Sequence, residues 1–447
     1  MASTQTILLR GCRIFWLVLV LASSIGAFGG CLEDTSANMA ALPKNAANAK
    51  PFLGWSTWNY IGKDPTQASI EAQARVMAST LKSHGFKYIL LDDFYYLNPS
   101  TTVDQFGRWV ANSSRFPDGI AALANDIHRM GLKFGIYLTP GVPVAAVNQN
   151  TPIEDTPYHA ADIADTSGFE KNYNYGSGMM YYINYSKPGA QAYVNSWARQ
   201  LASWGVDFLK MDGVGPSDIA DVRAWSQALS SSGRSIFFDI SNTMSISNVN
   251  IWKRYANAWR TQGDIECYTG CPNYLVNWNN ISACFASVAT WAKYSGPGGW
   301  NDLDALDVAD GELDGITDTE RQTYMTLWAI AAAPLYMGDD LTSMDTYGKQ
   351  LLTNDEVISL DQAGIAGAPI SQGDQQVWLV HNSNGSYTVA LFNLGDTAAT
   401  VTINWSQLGL VGPQKVHDLW ARRDLGNVAN GFNASLSPHG SRLIRVG

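Results

Sequence analysis

Between residues 51 and 367, short apolar runs alternate with helical patterns, and many of the runs end in a carboxylate. The clearest run covers residues 206–213, where Lys210 lies among apolar side chains, Asp212 ends the run and Gly213 lets the backbone turn away. Eight such strand–helix units predict an α/β fold, a (β/α)8 or TIM barrel. A doubly wound parallel sheet is the alternative, but it gives no reason for carboxylates at so many strand ends.

The helical patterns of the predicted barrel show one apolar face, and several end at glycine. They cover residues 67–83, 120–130, 190–204, 218–229, 274–291 and 345–352, and a further helix opens at a capping box of Thr317 and Glu320. Residues 138–186 instead have little periodicity and much Gly, Pro, Asn and Tyr. Because a long loop in a compact domain is usually functional, we expect this segment to form a lid or a substrate wall.

A second domain is predicted at residues 368–447, after the predicted barrel of residues 51–367. Its pattern consists of short strand-like runs with turns between them, at residues 377–380, 387–392, 400–403, 416–420 and 442–446. Such runs are typical of a C-terminal antiparallel β-sandwich.

The first 30 residues have the pattern of a cleaved signal peptide, in which Arg10 and Arg13 precede an apolar run and then small residues. The run is too short to span a bilayer comfortably, so we expect a protein that is secreted or periplasmic. Cys31 is a possible lipid anchor, although Phe28 fits such a cleavage site poorly. Residues 31–50, rich in Ala and Asn, are predicted to be a disordered tether.

The composition excludes some classes of function. The net charge of −10 argues against nucleic-acid binding. The six histidines are scattered without metal-ligand spacing, and no phosphate-binding glycine loop is present, so no metal and no cofactor are expected. Cys267 and Cys271 are close enough in sequence for a small-loop disulfide in an oxidising compartment, while Cys284 is expected to be buried or unpaired.

Charged residues gather at the predicted strand ends, which a barrel brings to one opening. They are Asp92, Asp93, Lys210, Asp212, Arg260, Asp264 and Asp304. Lys210 and Asp212 share one face of their strand because side chains alternate with period 2. Carboxylates with a few cations suit a neutral polyhydroxylated ligand, and two carboxylates are sufficient for glycoside hydrolysis. Structural ion pairs and helix caps are the competing interpretation.

In these residues the chain resembles glycoside hydrolase family 27, the melibiase family, whose best-known members are α-galactosidases. The matching motifs occur in the family's order at residues 53–59, 91–93, 135–137, 209–213, 259–264, 296–304 and 328–335. The resemblance covers about residues 51–365 and implies a retaining mechanism that needs no cofactor. Residues 368–447 fit the family's β-sandwich more loosely.

The resemblance also implies roles for individual residues. Asp212 would be the nucleophile and Asp264 the acid/base. The sugar hydroxyls would be held by Asp92, Asp93, Lys210, Arg260 and Asp304, and Trp58 and Tyr137 would line the pocket. Many relatives carry a cysteine where this chain has Val214, bridged to the loop after the third barrel strand. Residues 138–186 must therefore be held differently.

The resemblance leaves the sugar open. It favours a secreted exo-acting enzyme that releases terminal α-D-galactosyl residues from oligosaccharides or polysaccharides, because Asp92 and Asp93 match the pair that contacts the 4- and 6-hydroxyls in galactose-specific members. Ser241 aligns where α-galactosidases have a glutamate that accepts from the 2-hydroxyl and where α-N-acetylgalactosaminidases have a serine. The alternatives are therefore an α-N-acetylgalactosaminide, a β-L-arabinopyranoside, isomaltosyl units of dextran, or sugar binding without catalysis.

Overall fold

The computed structural model describes residues 49–170, 176, 178–271 and 273–447. The predicted signal peptide, the possible anchor at Cys31 and the tether up to residue 48 lie outside the described residues. No helix within these described ranges is long and apolar enough to cross a membrane.

The strands of the described residues are numbered here in chain order. They are β1 Leu53–Ser56, β2 Tyr88–Leu91, β3 Lys133–Leu138, β4 Val142–Pro143, β5 Ala164–Phe169, β6 Met180–Ile183, β7 Phe208–Met211, β8 Phe237–Ile240, β9 Ala258–Arg260, β10 Trp300–Asp302, β11 Leu335–Met337, β12 Ala368–Ser371, β13 Gln375–His381, β14 Tyr387–Asn393, β15 Ala399–Asn404, β16 Gln414–Asp418, β17 Arg423–Val428, β18 Gly431–Leu436 and β19 Ser441–Val446.

Eight parallel strands form the predicted barrel, in the order β10-β9-β8-β7-β3-β2-β1-β11. A parallel bridge between Leu306, just after β10, and Met337 of β11 links the two ends of this sheet. The (β/α)8 barrel prediction is thereby confirmed, and the C-terminal ends of its strands, here called the mouth, lie together.

Aromatic rings fill the barrel at the opposite end from the mouth. Phe208 of β7 stacks on Phe237 of β8 with ring centroids 5.1 Å apart. Phe52, just before β1, packs against both rings, and its centroid lies 4.8 Å from that of Phe208 and 5.4 Å from that of Phe237. Gly135 of β3 makes room for this packing, because a Cβ there would lie 2.4 Å from Leu90 and 3.0 Å from Phe208. The barrel interior is therefore a packed core with one polar end.

The α-helices of the described residues are likewise numbered in chain order. They are α1 Trp58–Ile61, α2 Gln67–Val76, α3 Ile120–Arg129, α4 Val144–Gln149, α5 Ala160–Ile163, α6 Ala190–Ser203, α7 Ile219–Ser231, α8 Val249–Tyr255, α9 Trp278–Trp291, α10 Asp318–Ile330, α11 Thr346–Leu352 and α12 Asp355–Gln362. The predicted capping box opens α10, where the Thr317 hydroxyl accepts from the amide of Glu320.

Two segments differ from prediction. The helix predicted at 67–83 is a succession of α2, a π-helical turn at Met77–Leu81 and a 3-10 turn at Lys82–His84. The segment 138–186 is more ordered than a loop, because β4, β6 and β5 form a small antiparallel sheet and α4 and α5 lie between β4 and β5 in the chain. Pairing of Val142 with Tyr181 joins the two ends of this segment by backbone hydrogen bonds.

The C-terminal strands form the predicted antiparallel β-sandwich. One sheet has the order β12-β13-β14-β19-β16-β17, and the other is the pair β15-β18. Apolar side chains from both sheets pack between them, among them Leu391, Ile403 and Ile444, which are fully buried. Alternation of buried and exposed residues along β15 and β18 is the pattern of strands with one face on this core.

Near α10 lies an acidic cluster formed by Asp310, Asp314 and Asp339, whose carboxylate oxygens are within 4.8 Å of one another. Arg321 contributes one ion pair, from Nε to Asp314 Oδ2 at 2.9 Å. Burial, with the charges of Asp314 and Asp340, raises the pKa of Asp310 to about 7. Because its pKa is higher in the folded state than in the unfolded state, the folded protein favours the protonated carboxyl. The stability that this contributes is fully present below about pH 4, the unfolded-state pKa, and is lost as the pH rises towards the folded-state pKa.

We expect Asp310→Asn to flatten the loss of stability between about pH 5 and about pH 7.5, because an amide does not ionise in that window. The difference should be on the order of 1 kcal/mol, since partial exposure of Asp310 screens the interaction. Calorimetric Tm values of both proteins at the two pH values test this. Asp155→Asn, at an exposed site, is the matched charge control. An unchanged pH slope in Asp310→Asn would contradict the prediction.

Candidate active site

The mouth is built by inward-facing positions two residues apart. Phe208 lies in the aromatic core, Lys210 comes next on the same face and Asp212 follows at the strand end. The register places Tyr137 of β3 and Asp239 of β8 beside Lys210. On β7 and β8 the inward-facing side chains therefore change from apolar to charged as the strands approach the mouth.

Asp212 follows β7 and is partly exposed at the mouth. Gly213 then turns the chain with a φ of 73°, which glycine adopts without strain. The hydroxyl of Tyr137 donates to Asp212 Oδ2 at 3.3 Å. Burial and the charge of Asp93 raise the pKa of Tyr137 well above its usual range, so Tyr137 stays neutral and can donate.

Lys210 and Asp92 form a buried ion pair, with Nζ 2.7 Å from Oδ2. Burial alone would lower the pKa of Lys210. The negative charges of Asp92 and Asp212 have the larger opposite effect and raise the pKa above its usual range. Asp93, directly after Asp92, is fully buried, and its amide donates to Asp92 Oδ1 at 2.9 Å. The two neighbouring aspartates and Lys210 thus lie at one side of the mouth.

Arg260, at the end of β9, joins Asp264 and Asp304. Its guanidinium lies 2.9 Å from Asp264 Oδ1 and 2.7 Å from Asp304 Oδ2. Asp304 is almost fully buried, and its Oδ1 accepts from the amide of Ala305 and the hydroxyl of Tyr336. Asp304 therefore supports Arg260 in this structure, and its predicted contact with sugar stays a prediction.

Asp264 has a side chain that is 52% exposed, and a hydrogen bond from Tyr268 holds its second oxygen, Oδ2, at 3.0 Å. Partial burial alone would raise the pKa of Asp264. The charges of Arg260 and Lys210 and the hydrogen bonds from Arg260 and Tyr268 lower it below its usual range instead. Trp58 is nearby, since its indole N–H donates to the Tyr268 hydroxyl at 2.9 Å.

Ser241 is buried directly after β8, next to the loop that follows Asp212. Its amide donates to the carbonyl of Met211 at 2.8 Å, and its carbonyl accepts from the amide of Val214 at 3.1 Å.

The predicted disulfide between Cys267 and Cys271 is present, and Cys284 is a buried free thiol. The predicted site residues therefore gather at the mouth, and the disulfide begins at Cys267, three residues after Asp264.

Four mouth residues were not predicted. They are Asp239, Asp302, Glu266 and Tyr268. Burial raises the pKa of Asp302 to about 6, and burial with the neighbouring charge of Asp302 raises the pKa of Asp239 well above its usual range. The alternation of strand side chains could have predicted both residues. Asp239 lies two positions after Phe237 and Asp302 two positions after Trp300, on the same inward face. Glu266 and Tyr268 lie outside regular strands and gave no such signal.

Glu266 completes a group of three carboxylates with Asp264 and Asp304, whose oxygens lie within 4.8 Å of one another. Such a group could hold a cation, but Arg260 already pairs with two of the three carboxylates. Burial and the charges of Asp304 and Asp264 raise the pKa of Glu266 well above its usual range. Two of the three carboxylates therefore already have Arg260 as their cation.

Comparisons with known proteins agree with this geometry. Residues 62–167 and 171–363 match the sequence profile described as "Alpha galactosidase A", and residues 372–446 match "Alpha galactosidase C-terminal beta sandwich domain". The α-galactosidase of Cyamopsis tetragonoloba is 32% identical over 96% of each chain. That of Coffea arabica is 33% identical over 90% of this chain and 95% of the other.

A similar solved structure has a different printed activity. It is a family 27 β-L-arabinopyranosidase from Geobacillus stearothermophilus, with a TM-score of 0.82 and 31% identity over 89% of this chain and 96% of the other. Relatives of comparable similarity thus act on two sugars, and overall similarity alone does not choose between them.

Proposed function

The chain belongs to glycoside hydrolase family 27, and from that premise we propose that it is a retaining exo-glycosidase that removes terminal α-D-galactosyl residues from oligosaccharides or polysaccharides. Membership in the family makes it a glycoside hydrolase. One observation carries the finer proposal. Asp212 and Asp264 follow the C-terminal ends of two strands of one barrel, where Tyr137 donates to Asp212 at 3.3 Å and Arg260 donates to Asp264 at 2.9 Å.

In the first step, Asp212 attacks the anomeric carbon, and the bond from that carbon to the leaving oxygen breaks as Asp264 gives the oxygen its proton. The hydroxyl of Tyr137 holds Oδ2 of the nucleophile through its hydrogen bond. The charge of Lys210 compensates the carboxylates gathered around it. The product of this step is a glycosyl ester of Asp212 and a free leaving group.

In the second step, the ionised Asp264 removes a proton from water, whose oxygen attacks the anomeric carbon and frees Asp212. Two inversions at that carbon leave the sugar with its original configuration. The ion pair of Arg260 with Asp264 favours the ionised form that the base must have in this second step, and it opposes the protonated form that the first step needs.

The choice of sugar rests on Asp92 and Asp93. β-L-Arabinopyranose has the ring configuration of α-D-galactopyranose but lacks the hydroxymethyl group. A carboxylate that accepts a hydrogen bond from the 6-hydroxyl therefore favours galactose. Both aspartates are buried at the mouth with Lys210 beside them, which supports the α-galactoside over the arabinopyranoside.

We expect the nitrophenyl α-galactoside to be the best substrate in a panel with the α-N-acetylgalactosaminide and the β-L-arabinopyranoside. A buried contact to the 6-hydroxyl should give at least about a tenfold advantage in kcat/KM over the arabinopyranoside, or roughly 1.4 kcal/mol of transition-state binding. An advantage of that size for either other sugar would overturn the α-galactoside assignment. Binding of galactose without hydrolysis of any of the three would favour a non-catalytic sugar-binding protein.

We further propose that the enzyme is exported, because Arg10, Arg13 and the apolar run after them form a signal-peptide pattern. The disulfide between Cys267 and Cys271 supports an oxidising compartment, where such bonds persist.

A further inference from the structure

Tyr268 lies in the short loop that the disulfide between Cys267 and Cys271 closes. The residue is 61% exposed, which is unusual for so large a hydrophobic side chain. Its hydroxyl nevertheless has two partners, because it donates to Asp264 Oδ2 at 3.0 Å and accepts from Trp58 Nε1 at 2.9 Å. Trp58 comes from the distant α1, so the hydroxyl joins two separate parts of the mouth.

Asp264 is consequently held at both carboxylate oxygens. Arg260 donates to Oδ1 at 2.9 Å and Tyr268 donates to Oδ2 at 3.0 Å. The side chain is half exposed, so packing alone does not fix its orientation. A proton donor in glycoside hydrolysis must point at the leaving oxygen, and a small misplacement of such a group is costly.

We infer that Tyr268 is a positioning residue for Asp264, which fixes the carboxylate through Oδ2 while the indole N–H of Trp58 fixes the Tyr268 hydroxyl. This inference rests on the proposed role of Asp264 as acid/base. Nothing in the family motifs points to it, because Tyr268 lies after the motif that ends at Asp264.

The hydroxyl of Tyr268 also stabilises the ionised form of Asp264, since a donor to a carboxylate oxygen favours the anion. Several other charged or titratable groups act on Asp264 or feel its charge. They are Arg260, Lys210, Glu266 and Asp304. The two cations favour the anion of Asp264, and the two carboxyls oppose it when ionised. Loss of the hydroxyl should therefore raise the pKa of Asp264 without changing the number of charges.

Tyr268→Phe tests the inference, because it removes one oxygen from an exposed ring. We expect the pKa of Asp264 to rise by roughly half to one pH unit. Carbon-13 NMR titration of protein labelled at the aspartate carboxyls measures it without a substrate, with Asp264→Asn assigning the signal. Tyr274→Phe is the matched control, because Tyr274 is exposed on a nearby loop and is not one of the two donors to Asp264.

In the rate assay, the alkaline limb of the pH profile of kcat/KM should move upward by a similar amount in Tyr268→Phe. At the optimum, hydrolysis of an alkyl galactoside should fall about tenfold, and that of the activated nitrophenyl galactoside by less than about threefold. An unchanged Asp264 titration in Tyr268→Phe would overturn the inference whatever the activity. Failure of the wild-type protein to hydrolyse galactosides would overturn the proposed function and leave the NMR result standing.

Discussion

Replacing Asp212 with asparagine should abolish hydrolysis of α-galactosides while the protein stays folded. An amide has nearly the same shape as a carboxylate but cannot form the glycosyl ester. We expect kcat to fall by at least about a thousandfold, which corresponds to roughly 4 kcal/mol. The hydrogen bond from Tyr137 can persist, since an amide oxygen also accepts. The initial rate on the nitrophenyl galactoside gives the loss of activity.

Circular dichroism and Tm separate this loss from unfolding. Asp396→Asn makes the same chemical change at a position that is 95% exposed, in the C-terminal β-sandwich and outside the barrel, and should keep full activity. Near-normal turnover by a folded Asp212→Asn protein would rule out Asp212 as the nucleophile.

Replacing Asp264 with alanine should have a second large effect, and its size should depend on the leaving group. A nitrophenolate leaves readily without a proton, whereas an alkoxide does not. We expect kcat/KM on a methyl or disaccharide α-galactoside to fall by at least about a thousandfold, and on the nitrophenyl galactoside by about ten- to a hundredfold. Equal losses on both kinds of substrate would argue against Asp264 as the proton donor.

Added azide tests separately which aspartate is the nucleophile and which is the acid/base. Azide is an anion that attacks the glycosyl ester of Asp212 without help from a base. It should speed turnover of the nitrophenyl galactoside by Asp264→Ala and leave Asp212→Asn inactive. The product should be an α-galactosyl azide, since the nucleophile and azide each invert the anomeric carbon. A β-configured azide from Asp264→Ala would contradict retention, and rescue of Asp212→Asn with an α-configured azide as the product would exchange the roles of the two aspartates.

The long amphipathic helices were predictable because their apolar spacing is local. The pattern predicted 120–130 and 190–204, and α3 and α6 cover Ile120–Arg129 and Ala190–Ser203. The missed elements depend on distant partners or lack a full apolar face. Strands β12 and β17 are mostly exposed, and the pairing of β4 with β6 joins residues far apart in sequence. Helix α12 was missed although Asn354 caps it.

The mouth was predictable to the extent that strand ends and motifs define it. Asp92, Lys210 and Arg260 end or follow strands, and the barrel brings strand ends together. The contacts among these residues were not predictable, because the ion pair of Lys210 with Asp92 joins residues 118 positions apart. Tyr268 could not be found this way, since its place depends on an irregular loop and on Trp58.

The aromatic core beneath the mouth also limits the route by which substrate and products can enter and leave in the proposed reaction. Phe52 and Phe237 come from opposite sides of the barrel, and their contact leaves no passage through it. Everything must then enter and depart through the same opening. The leaving group goes first, water takes its place, and the monosaccharide departs last. In the proposed reaction free galactose would occupy the position that the next substrate needs, so we expect it to inhibit competitively, and we expect a long polymer to be shortened only from its end.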